Sequence, residues 1–242
     1  MANIDIKYLP MIPEKFAAVR FWKIFLPILK RWSRSGLIET CEKFLQLSTR
    51  QNCTILSVGG FGKIDVYLSN FIEHSGLNMY TLDIDESHKP MMVGSIEDCK
   101  SILNEKKIQV DTVIALEVFE HVENLQKAMD EIYSILPPGG ILIASTPWIH
   151  PIHDRPNDFR RITPKEIQRY CERYSKVEIC ARGNQLDSLI LLALRGLFAK
   201  EWSLKAIMIP VAFLSLFMPK PRIYFDLERI DSTIGYVWKV TK

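Results

Sequence analysis

No two of the five cysteines, Cys41, Cys53, Cys99, Cys171 and Cys180, form a C-x-x-C pair, and their number is odd. Neither a disulfide framework nor a cysteine zinc site is therefore signalled, and a reducing, cytoplasmic setting is expected. Concentrated Lys/Arg tracts are missing too. A formal charge of +3 spread over 242 residues is too mild for a chain that wraps nucleic acid, so no nucleic-acid partner is expected. The N-terminal MANIDIKYLPMIPEKF carries an early acid and no apolar core, so it does not read as a secretory signal. There is no apolar run of the roughly 20 residues that a membrane-crossing helix needs. The longest candidate, residues 206–218, is interrupted by Pro210 and Ser215. Internal repeats and low-complexity tracts are absent as well.

What is present suits a buried α/β core, with 48% hydrophobic and 24% charged residues. Residues 14–47 carry Phe21, Ile24, Phe25, Ile28 and Trp32 at helical spacing, with Pro27 expected to kink the helix. The reading is an N-terminal helical cap over residues 1–50, ahead of a main domain over 51–242. CTILSV then opens into GGFG, and LNMYTLDID ends in two acids after an intervening helical stretch, which is a βαβ unit. Residues 110–161 supply a strand, a crossover helix, a Pro-Pro-Gly-Gly turn, a second strand and a loop dense in His, Asp and Arg. Thr163 and Pro164 mark a helix start, VEICA reads as a strand, and IGYVWKVTK closes the chain. Before that closing strand, residues 185–222 form an apolar helical insertion whose partner is the core, a homodimer interface or a membrane surface.

Glycines after a first strand let the backbone approach a nucleotide-like ligand, and an acid after the second strand suits ribose hydroxyls. Gly59, Gly60, Gly62 and Asp83 have that layout, although a plain strand-to-helix turn would use the same glycines. Glu117, Glu120 and His121 follow a strand within one turn's length, either to meet a ligand or to cap the next helix. His150, His153 and Asp154 lack the fixed helical spacing of a zinc motif, and no metal is expected from them. Arg155, Arg160 and Arg161 beside Asp158 could bind an anionic group of a substrate or order their own loop. Trp148 could stack on a ligand or pack at its strand end.

With ILSVGGFG, TLDID, DTVIALEVFEHV and LPPGGILIASTP in this order, the chain resembles the class I S-adenosylmethionine-dependent methyltransferases over residues 53–181. Pro151, His153, Pro156, Asp158, Arg161 and Thr163 extend the likeness to small bacterial members associated with glycan and cell-surface biosynthesis. The resemblance implies a three-layer, doubly wound, mostly parallel seven-stranded sheet and S-adenosyl-L-methionine as cofactor. It implies further that Gly59, Gly60, Phe61 and Gly62 line the methionine and ribose end, with Asp83 on the ribose hydroxyls and Ile84 after it. Gly94, Ser95 and Ile96 would lie near the adenine, and Leu116 and Glu117 beneath the cofactor. Ser57, Phe61, Lys63 and Ser95 depart from the usual residues at their positions. The expected activity is methyl transfer to an oxygen of a sugar, glycan or lipid-linked acceptor, with cytoplasmic location at or near the inner membrane face. In that reaction His153 with Asp154 serves as the base pair, and Trp148, His150, Asp158 and Arg161 meet the acceptor. The alternatives are a binding module that has lost the cofactor and, on the glycine turn alone, a dinucleotide or nucleotide-sugar enzyme.

Overall fold

Short runs of branched apolar residues, buried on both faces, become the strands that carry the site. The computed structural model describes residues 34, 36–46, 53–59, 75–153, 156–197, 202–215 and 217–242. The expected helix with Pro27, the glycines Gly60 and Gly62, Phe61, Lys63, Asp154 and Arg155 lie outside the described residues.

Among the described residues eight strands form one sheet: β1 (Thr54–Val58), β2 (Asn78–Asp83), β3 (Met92–Val93), β4 (Thr112–Leu116), β5 (Ile141–Pro147), β6 (Lys176–Arg182), β7 (Ile223–Tyr224) and β8 (Gly235–Thr241). Their order is β3-β2-β1-β4-β5-β8-β6-β7. The first five are parallel, while β8 enters antiparallel between β5 and β6. The doubly wound, mostly parallel architecture is thus as expected, with eight strands in place of seven. The extra one is β7, a two-residue edge on β6 that is too short for alternation to reveal.

Alternate residues of each strand feed two apolar layers. On one face Val113, Ala115, Leu142 and Ala144 meet helix α2 (Cys99–Glu105) and α3 (Leu125–Ile135), whose Leu125, Ala128, Met129 and Ile132 repeat at helical spacing. On the other face Ile55, Ile114, Ile141 and Ile143 meet α1 (Leu37–Gln46) through Leu37, Cys41, Phe44 and Leu45. The described part of the expected cap is therefore the second layer on the sheet. Helix α4 (Pro164–Tyr170) starts as read, with the Thr163 hydroxyl accepting from the Glu166 N–H at 3.2 Å.

The apolar insertion folds as α5 (Gln185–Gly196) and α6 (Trp202–Ser215). Its continuity corrects the sequence reading, since α6 runs through Pro210 and stops at Ser215. Proline removes one hydrogen bond there, but the apolar face compensates by packing Met208 and Val211 against Ile190, Leu191 and Leu194 of α5. Among the described residues no helix is long and apolar enough to cross a membrane.

Candidate active site

Strand order reverses between β1 and β4, and a crevice opens beyond their C-terminal ends, where open α/β sheets bind ligands. A cleft of about 780 Å³ occupies that place, a size suited to a small-molecule ligand. Gly59, Asp83, Ile84, Ser95, Ile96, Leu116 and Glu117 line one end, and His121, His150, His153, Phe159 and Arg195 line the other.

The first end is built from strand termini. Gly59 leaves β1 with φ +60°, and its N–H donates to Leu82 O at 2.9 Å. A Cβ there would lie 2.7 Å from the Val118 side chain, so both backbone angle and space require glycine. Asp83 ends β2 nearly buried, accepting the Asp85 N–H at 2.9 Å and facing His88 Nδ1 at 3.0 Å. Ser95 caps the short turn Ile96–Asp98, its hydroxyl accepting the Glu97 N–H at 3.1 Å. Strand β3 is only Met92–Val93, and this turn follows it closely. These placements suit a nucleoside whose hydroxyls reach Asp83 and whose base lies by Ser95 and Ile96.

Glu117 directly follows β4 in the left-handed region at φ +58°, a conformation costly for a side-chain-bearing residue. Three hydrogen bonds with the side chains of two residues hold it. Its N–H donates to Ser145 Oγ at 2.9 Å, the same hydroxyl donates to Glu117 Oε1 at 2.9 Å, and fully buried Arg182 donates to that oxygen at 2.7 Å. Neither Glu117, Glu120 nor His121 caps α3. That task falls to Asn124, which accepts the Lys127 N–H at 3.0 Å.

The second end is a pair of loops stapled together. Phe159 N–H donates to Glu120 O at 2.9 Å, and Arg160 donates to the carbonyls of Phe119, Val122 and Glu123. Arg161 forks onto both Asp158 oxygens at 2.5 and 2.9 Å and onto His150 O at 3.0 Å. Asp158 in turn accepts the His153 N–H at 2.9 Å and faces His153 Nδ1 at 3.1 Å. Burial works against its charge, yet hydrogen bonds from Arg161 and His153 outweigh it and hold the Asp158 carboxyl down at about 2. Asp158 and Arg161 were expected to touch an acceptor. They do not line the cleft, because each is consumed in ordering the loop. Trp148 is likewise absent from the lining and leans on Tyr236, ring centroids 6.2 Å apart, within the core.

His150 and His153 do reach the cleft. His150 donates from Nδ1 to Pro151 O at 3.0 Å, and its Nε2 meets Arg195. Burial first, then the Arg195 charge, push it down to about 3, so the ring is neutral at ordinary pH. Beneath these rings Glu120 is fully buried, and burial together with the Glu117 charge raises its carboxyl well above the usual range. Ser145, Arg182, Arg195 and Asn157 were not singled out by sequence. Their roles depend on partners 28 to 65 positions away, which no local pattern encodes.

A glycine-walled, acid-tipped crevice at a switch point, opening onto a histidine-lined chamber, defines an α/β domain built for a nucleoside cofactor and a second substrate. The model of the methyltransferase domain family matches residues 32–184, well over half of the chain, and the chain belongs to that family. The S-adenosylmethionine expectation stands with this assignment. The match ends where α5 begins, leaving the apolar insertion outside it. Comparison with curated proteins returns no match. Among solved structures, a SAM-dependent methyltransferase from Archaeoglobus fulgidus is 13% identical, with a TM-score of 0.53 over 90% of this chain and 99% of that one. A second, from Thermotoga maritima, is 12% identical, with a TM-score of 0.50 over 91% and 99%. At such identities the likeness is one of fold, and it agrees with the sheet described above.

Proposed function

We propose that the chain transfers a methyl group from S-adenosylmethionine to a hydroxyl of a sugar, glycan or lipid-linked acceptor. The observation that carries this is the continuity of the cleft, whose nucleoside-suited end runs without a break into the imidazole-lined end. The cofactor supplies a methyl already activated on a sulfonium, so the protein's tasks are alignment and removal of one proton. Gly59 would give close backbone approach, Asp83 would hold ribose hydroxyls, Ser95 and Ile96 would flank the base, and Leu116 and Glu117 would form the floor. With the cofactor bound, its methyl would pass from the sulfonium sulfur to the acceptor oxygen, and His153 Nε2 would take the hydroxyl proton. Asp158 supports that step, since a carboxylate accepting from Nδ1–H leaves the lone pair on Nε2 and stabilises the imidazolium that results. Asp154, paired with His153 in the sequence reading, lies outside the described residues.

The lipid-linked reading, with a place at the inner membrane face, draws on the insertion. Leu189, Leu192, Ile207, Phe213, Leu214 and Phe217 are exposed, an apolar surface that an interface or a lipid headgroup layer would cover. Calorimetry with S-adenosylmethionine and with its demethylated product tests the cofactor: one site is expected, and no heat with either ligand would leave the cofactor-free binding module as the better description. Flotation with anionic vesicles tests the surface. Recovery with vesicles that falls on Phe213→Ser and Phe217→Ser supports the membrane arm, whereas a concentration-dependent dimer abolished by the same changes assigns the surface to a second copy.

A further inference from the structure

Methyl transfer as described leaves Glu120 without a task. Its side chain is fully buried and, among the described residues, neither carboxylate oxygen makes a hydrogen bond, yet Oε1 lies 3.8 Å from His121 Nε2 and 4.0 Å from His153 Nε2. The three ligand-type atoms fall within 4.8 Å of one another. Each imidazole is held from its far side. His121 Nδ1 is 2.8 Å from Asn157 O, and because a carbonyl only accepts, that nitrogen donates. His153 Nδ1 donates in the same way to Asp158 Oδ2 at 3.1 Å. Proteins orient metal-binding histidines by tying one ring nitrogen to a carbonyl or carboxylate so that the other faces the ion. Here both rings turn Nε2 toward one buried carboxylate. Three acceptors brought together need positive charge between them, and a proton or a cation can supply it.

We propose that Glu120, His121 and His153 bind one divalent first-row transition cation, with its open coordination positions facing the cleft. Two imidazoles and one carboxylate suit zinc, manganese, iron or cobalt, whereas magnesium and calcium prefer oxygen ligands throughout. Three protein ligands with a position left open is the pattern of a catalytic, not a structural, ion. Bond lengths of about 2.0–2.2 Å place tetrahedral ligand atoms about 3.4 Å apart, so closure asks for shifts of about an ångström or less at most of these side chains. His121 and His153 line the cleft and Glu120 lies beneath them, so the ion sits at the floor of the acceptor end. His150 is outside the set, with Nδ1 on Pro151 O and Nε2 on Arg195. The expectation of no metal rested on His150, His153 and Asp154 as neighbours in sequence. The fold instead carries His153 to a pair more than 30 positions upstream, through the staple of Phe159 and Arg160.

The inference deepens the acceptor half of the proposed function and is independent of cofactor binding. With the ion in place His153 is a ligand and not the base: the acceptor hydroxyl would be acidified by the cation that binds it, and its proton would pass to solvent water in the open cleft. The test uses full-length, metal-stripped protein titrated with Co2+ and followed by visible absorbance, with Zn2+ as competitor. One equivalent is expected, without the charge-transfer band of thiolate ligation, since all five cysteines are buried away from the site. Glu120→Gln and His121→Ala should each lose the signal, Asp158→Asn should weaken binding by about 10–100-fold, and His150→Ala should leave the stoichiometry unchanged. Thermal melts of each variant identify any that fails to fold, and the remaining ones decide the matter. Wild-type protein that takes up no cation overturns the site and assigns Glu120 a proton, as does full affinity in folded Glu120→Gln. Calorimetry with S-adenosylmethionine on the same preparation separates that failure from failure of the methyltransferase reading.

Discussion

Glu117 shows how one residue can be held in a costly conformation by its neighbours. Its positive φ is maintained by Ser145 and by a buried guanidinium, and the same contacts fix the carboxylate at the cleft wall. Arg182→Met removes the guanidinium and leaves a carboxylate that is 24% exposed, so part of the loss is screened by water. The expected destabilisation is about 2–3 kcal/mol, seen as a Tm lower by roughly 5–10 °C and accompanied by weaker cofactor binding. Gly59 is constrained differently. Gly59→Ala forces a Cβ against Val118 at a positive φ, at a cost of about 1–3 kcal/mol, and calorimetry should find cofactor affinity reduced more than stability. Gly59, Asp83 and Glu117 could be placed from sequence because each stands at or just past the C-terminal end of a strand that the sequence marks. Arg182 could not, since it is the last residue of β6 and its partner stands 65 positions away. Trp148, Asp158 and Arg161 went the other way. Their chemistry suits ligands, and only the fold reveals that a core aromatic and an adjacent loop already occupy them.

Helices and strands repeat the division between local and distant causes. The start of α4 was readable because its signal is local, a hydroxyl at the cap followed by proline at the first helical position. Thr163→Ala should therefore cost about 1 kcal/mol, a Tm lower by roughly 2–4 °C, while Thr163→Ser stays near wild type. That comparison isolates the hydroxyl from the bulk of the side chain. By contrast, β7 is a two-residue strand placed by its pairings to β6 and by the packing of Ile223 and Tyr224 on the two apolar layers, and has no pattern of its own. In α6 the sequence reading erred because Pro210 ordinarily ends a helix. Packing on α5 decides otherwise, through Met208 and Val211 against Leu191 and Leu194. The same packing covers only one side, which is why Ile207, Phe213 and Leu214 remain exposed and give the insertion its proposed interface.

Over the whole molecule the two apolar layers set how the cysteines behave. Cys41 and Cys180 lie in the layer under α1, and Cys99 and Cys171 in the layer under α2 and α3, all without disulfides among the described residues. Burial pushes each of these four thiols up to about 12. They should resist iodoacetamide at pH 8 in the native state and be labelled only in denaturant, with peptide mass spectrometry as the readout. The linkage to stability follows in sign. A thiol whose folded pKa lies above its unfolded value near 9 holds its proton in the native state after the unfolded chain has lost it, so alkali favours unfolding. One unit above the unfolded value, the penalty is about 1.4 kcal/mol for each such group. Tm should accordingly fall between pH 8 and pH 10, and Cys41→Ala should fall less than wild type over that interval even if it starts lower. Equal slopes in the two proteins would mean that Cys41 is not among the groups responsible.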